Sequence, residues 1–149
     1  MSRATDFFTS IVKPTADEFF GDTGDIRRGR LAAIVLYHMA DYWQLENTAA
    51  FKTRNILCEH LIAKCQEFQI IRDVADASRH AQLDHSATPP RKLKSSDQIT
   101  RPPSLFEAPF GEAVFNEATK VVVTLNDGTS RLLAPVARSV LSMWENELR

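Results

Sequence analysis

Between Leu31 and Trp43 the chain reads LAAIVLYHMADYW, an apolar run that only His38 and Asp41 interrupt. A helix this apolar on nearly every side cannot lie on a surface, so the remaining elements must surround it. The uninterrupted part, Leu31 to Tyr37, is far shorter than the ~20 residues that cross a bilayer, so no membrane span is expected. A chain of 149 residues with 44% hydrophobic and 25% charged side chains has the composition and length for one soluble core. We read 1–149 as a single domain.

Other elements follow from pattern and punctuation. Ala4–Val12 reads as a short helix that Pro14 stops, with a further turn at Thr15–Glu18. Asp25, after a Gly/Asp turn cluster, is placed to cap the central helix. Leu57, Cys58, Leu61, Ile62, Cys65 and Phe68 form one stripe of a helix over about 50–68. The β-branched Gln69-Ile70-Ile71 predicts a break before a fourth helix, Arg72 to about Leu83. Five of the seven prolines then fall between His85 and Phe110, which predicts no regular element there: either a mobile functional loop or an extended strap laid over the helices, with Leu105, Phe106 and Phe110 as its anchors. Lys120–Leu125, an Asn126-Asp127-Gly128 turn and Thr129–Leu133 spell a hairpin, and Pro135 opens a last helix. The fold class is therefore mainly α (α+β): a four-helix bundle over 1–85, a proline-rich strap over 86–110, and a β-hairpin plus C-terminal helix over 111–149. A lone hairpin is marginal in water, so its valine face must pack on helices or pair with a second copy, and a homodimer is expected.

Charge narrows the partners. With 18 Lys and Arg against 19 Asp and Glu, the net charge of -1 excludes the broad positive field of sequence-independent nucleic-acid binding. RNA contact, if any, must be local. Cys58 and Cys65 lie seven apart on one predicted helix and read as core thiols of a reducing compartment. The first 20 residues lack a secretory pattern, which points to the cytoplasm.

Chemistry concentrates on the fourth helix. Arg72, Asp76 and His80 stand at i, i+4 and i+8, so they line one face and can hydrogen-bond in series. An Asp beside a His sets its tautomer for acid–base work near neutral pH, and an adjacent Arg can bind phosphate. The same residues, with Asp73 and Arg79, equally describe the wet face of an amphipathic helix. His38 and Asp41 either face that helix and complete a cleft, or are satisfied within the core. Arg91-Lys92-Leu93-Lys94 reads as solvated charge or as a contact for an acidic or nucleic-acid surface. His38, Asp41, Asp76, His80, Asp84 and His85 are all possible metal ligands, but no spacing motif unites them, so neither a metal nor a cofactor is expected.

Arg72-Asp73-Val-Ala-Asp76-Ala-Ser-Arg79-His80, an Arg followed by a polar residue and a downstream His on a late bundle helix, resembles the motif of HEPN domains. The resemblance covers at most Asp25–His85. It implies a short helical bundle, often dimeric, acting as a metal-independent ribonuclease of a toxin or defence system, with Arg72 and His80 as the catalytic pair and Asp73 beside them. Seven residues separate Arg72 from His80, where the family has four to six; Arg54-Asn55-Ile-Leu-Cys-Glu-His60 matches the spacing one helix earlier. The chain as a whole looks bacterial. Two functions are thus expected: a protein-interaction module or antitoxin-like partner, and alternatively a HEPN-like endoribonuclease. A cleft lined by Arg72, Asp76 and His80 favours the second.

Overall fold

The Asp25 carboxylate accepts the Arg28 backbone N–H at 3.1 Å and starts helix α3, Ile26–Glu46, in a computed structural model that describes residues 1–102 and 120–149. Ala32, Ala33, Leu36, Met39 and Ala40 of α3 are fully buried on one stripe, while Ile34, Val35, Tyr37, Tyr42 and Trp43 are only partly buried and Leu31 is exposed, so the run is not enclosed on every side. Before it, α1 (Arg3–Phe7), a π-helical turn (Phe8–Val12) and α2 (Lys13–Phe20) form one continuous run. Pro14 does not stop it. The turn ahead of the proline widens, the Lys13 N–H reaches back to the Phe8 carbonyl, and Pro14 falls at the start of α2. Ala4, Phe8, Val12, Ala16 and Phe19 then form one buried stripe.

Helix α4, Arg54–Lys64, is capped by the Thr53 hydroxyl, and α5 spans Glu67–His80. The break between them lies at Cys65 and Gln66, not at Gln69–Ile71. Ile70 and Ile71 are both core residues, and their burial outweighs the weak helical cost of β-branching. Cys65 consequently leaves the helix and is half-buried, while Cys58 stays in the core; both are free thiols.

The C-terminal helix α6, Leu133–Glu147, enters the same core, with Pro135 in its first turn. Trp144 is fully buried, donates its indole N–H to the Leu36 carbonyl at 2.9 Å, and meets Phe68 edge-on. Gly29 of α3 permits this packing, since a Cβ there would stand 3.0 Å from both Phe19 of α2 and Leu133 of α6.

The strap also has regular structure. Ile99–Thr100 forms β1, which pairs antiparallel with β2 (Val122–Thr124), and β2 pairs with β3 (Ser130–Leu132) around the turn at Gly128, φ +88°. Val121 and Val123 join the helical core, so the chain itself covers the hairpin's apolar face. Leu93 and Ile99 are the observed anchors of the strap; the expected anchors Leu105, Phe106 and Phe110 lie outside the described residues.

Helix α5 ends three residues short of Leu83, at a tight reversal. Ala81 has φ +60° and ψ -50°, and the Gln82 N–H bonds the His80 carbonyl at 2.6 Å, a γ-turn of the rare hand. The turn sends the chain back along itself, joining Leu83 to Lys94 and Ser96 to Ala81. An alanine held there is strained by roughly 1–3 kcal/mol, whereas glycine loses about 0.4–1 kcal/mol more chain entropy on folding. Ala81→Gly should therefore stabilise the protein by about 1 kcal/mol in urea unfolding; a loss of stability would show that the turn is unstrained.

Candidate functional site

Helix α5 presents its polar residues in three different settings. Arg72 and Asp73 are buried, at 2% and 0% exposure, because the strap lies over them. Arg72 Nε donates to Asp73 Oδ1 at 2.9 Å, and its Nη2 donates to the Pro89 and Pro90 carbonyls at 2.8 and 3.2 Å. Asp73 also accepts from Arg91 Nη1 at 2.9 Å and from the Lys92 backbone N–H. The series expected from Arg72 through Asp76 to His80 does not form: Arg72 pairs with its sequence neighbour, and Asp76 pairs with Arg91. Arg91 is therefore an internal ion-pair partner with Leu93 buried beside it, whereas Lys92 and Lys94 of the same tract are exposed.

The second setting is a cleft of about 460 Å³ between α3 and α5, closed at one end by the start of α4. His38 and Asp41 face α5 here, meeting Asp76, Arg79 and Arg54 over a floor of Ile34, Tyr37 and Ala75. Arg54 is held by an ion pair with Asp41, by Gln44 at 3.2 Å, and by its guanidinium standing 5.6 Å from the Tyr37 ring centroid. Arg79, exposed, makes no hydrogen bond or ion pair among the described residues. Burial lowers the His38 pKa below its ordinary value, and the positive charges of Arg79 and Arg54 push the same way against Asp76. Burial also raises Tyr37 and Cys58, so the phenol and the thiol beside it stay protonated at neutral pH.

The third setting is a smaller cleft of about 360 Å³, where His80 meets Asp76, Arg91 and the Gln82–His85 turn. The sequence-predicted residues thus divide. His38, Asp41 and Asp76 come together, Asp76 and His80 share the other cleft, and Arg72 and Asp73 lie beneath the strap. Of the alternative spacing match, Arg54 reaches the first cleft, while the His60 ring packs on Phe51 at 4.9 Å. Arg79 and Tyr37 were legible only as helix neighbours of Asp76 and His38, and Arg91 only as one residue of a basic tract whose acidic contact turns out to be Asp73 and Asp76 of this chain. Among the described residues, no three His, Cys, Asp or Glu side chains are grouped to hold a metal ion.

Asp73→Ala would leave Arg72 buried without its carboxylate and should cost about 3–5 kcal/mol in guanidinium unfolding. His80→Ala, at an exposed position, should stay within about 0.5 kcal/mol of wild type. Equal effects of the two changes would contradict a structural role for Asp73. Compared with known proteins, the chain matches no family model, and no curated protein or solved structure matches it significantly.

Proposed function

We propose that the cleft between α3 and α5 binds and cleaves RNA without a metal, with His38 in the role expected of His80 and Arg79 in that expected of Arg72. Arg72 is buried under the strap and, among the described residues, no cleft unites it with Asp76 and His80, so the reading rests on this cleft and not on the residues that carry the HEPN resemblance. The observation that carries this reading is that His38 lines one cleft with Arg79, whose guanidinium makes no hydrogen bond or ion pair among the described residues. Arg79 is the phosphate ligand, because a charged donor with no partner among the described residues can bind an oxyanion. Arg54 also lines the cleft, its charge paired with Asp41.

The neutral imidazole of His38 takes the proton of a ribose 2′-hydroxyl. The 2′-oxygen then bonds to phosphorus as the bond from phosphorus to the 5′-oxygen breaks, and water protonates the departing oxygen. The products are a 2′,3′-cyclic phosphate and a 5′-hydroxyl. Cys58 is unsuited as a nucleophile, since its burial disfavours the thiolate. Among the described residues a docking role has less to stand on: exposed Leu31 and Leu45 lie about 21 Å apart along α3, and Ile11 and Ile56 belong to other elements.

Labelled RNA incubated in EDTA tests the reading. His38→Ala should slow cleavage by about 10²–10⁴-fold, and Arg79→Ala by about 10²-fold, with helical circular dichroism unchanged. Cleavage lost in His80→Ala but kept in His38→Ala would move the site to the smaller cleft, and no cleavage by wild type would overturn the proposal. Because the unprotonated imidazole is the active form and its pKa is lowered, the rate should rise with pH and level off below the ordinary histidine value. A rate still climbing above pH ~7 would exclude His38 as the base.

A further inference from the structure

Asp76 lines both clefts at once. Within the larger one the formal charges cancel, since Arg54 and Arg79 stand against Asp41 and Asp76. Arg54 is already engaged by Asp41, which leaves Arg79 and Asp76 three residues apart on the same helix. An unrestrained Asp76 carboxylate would compete with any phosphate for Arg79 and repel it. It is not unrestrained: Arg91 reaches it from the strap side and bonds Asp73 through the same nitrogen. The Arg91 side chain is only 18% exposed and lines the smaller cleft alone.

We propose that Arg91 is a positioning residue for the larger cleft: by occupying the Asp76 carboxylate it leaves Arg79 free for a phosphate, so docking of the strap sets the cleft's preference for anions. The inference rests on the reading that this cleft receives a phosphate. Its geometry is one-sided, because Asp76 is the only group of the cleft that a strap residue holds among the described ion pairs. The groups sharing the cleft with His38 are Tyr37 and Asp41 of α3, Arg54 of α4, and Asp76 and Arg79 of α5. Of these, Asp76 is the carboxylate that favours the charged imidazole, and Arg91 shields it. Burial works against the Arg91 charge, but its hydrogen bonds to Asp76 and Asp73 more than offset that, so the guanidinium stays ionised.

The test follows the His38 ring by NMR during pH titration, and inorganic phosphate binding by the same signals, in the full chain. Arg91→Ala should move the His38 midpoint upward and weaken phosphate binding by about three- to tenfold. Arg91→Lys should restore most of both. In Arg91→Ala/Asp76→Asn the midpoint should return to wild type or below, and phosphate binding should recover, because the unshielded carboxylate is gone. A merely structural role for Arg91 predicts no recovery in the double variant, and that result would overturn the inference. An Arg91→Ala protein with unchanged midpoint and affinity would overturn it too. Wild type that binds no phosphate would overturn this inference together with the phosphate reading, whereas phosphate binding without RNA cleavage would spare it and remove only the nuclease.

Discussion

The organisation of the site depends on two adjacent charges, Arg72 and Asp73, both sealed under the strap. Taking two ions out of water costs several kcal/mol each, and their attraction offsets this only where the remaining donors and acceptors are satisfied. Here most of the satisfying groups come from the strap: the Pro89 and Pro90 carbonyls for Arg72, the Lys92 N–H and Arg91 for Asp73, while Arg72 Nη1 and Arg91 Nε are buried without a hydrogen-bond partner among the described residues. Prolines suit this task, since they present carbonyls without adding an N–H that would itself need a partner. The pair thus fixes the strap on α5, and the strap in turn carries Ile99 into the sheet beneath which α6 begins.

Fixing the strap has a consequence for charge. It divides the polar surface of α5 into two clefts and delivers Arg91 to their shared wall, at Asp76. On one side His38, itself exposed, has its pKa lowered by desolvation and by two neighbouring arginines. Exposed His80 lies on the other, beyond the C-terminal turn of the helix. His38, whose pKa is lowered, and Arg79, which has no hydrogen bond or ion pair among the described residues, therefore line the same cleft.

Elements with a strong local signal were legible in the sequence. The all-round apolar run became α3, Asp25 capped it, and the Asp127-Gly128 turn joined two strands. Misplaced boundaries share a cause: local preference gave way to burial at Ile70 and Ile71, and the rule for proline gave way to a widened turn at Pro14. The site was legible in part. Its histidine and aspartates could be named because a polar residue in an apolar helix needs an explanation, but the partner of Asp73 and Asp76 lies 18 and 15 residues away in a segment that reads as loop. No periodicity connects Arg91 to α5. Only the folded strap does, which is why Arg72 and Asp73 read as surface from the sequence and are buried in the structure.

Location of the phosphate is the point on which the functional account turns. The most direct measurement is a heteronuclear NMR titration of the protein with a dinucleotide lacking the 2′-hydroxyl, which binds without reacting. Shift changes concentrated at Ile34, His38, Arg54, Ala75 and Arg79, the walls of the larger cleft, are the expected result. Changes confined to His80 and the Gln82–His85 turn, or none at saturating nucleotide, would contradict it.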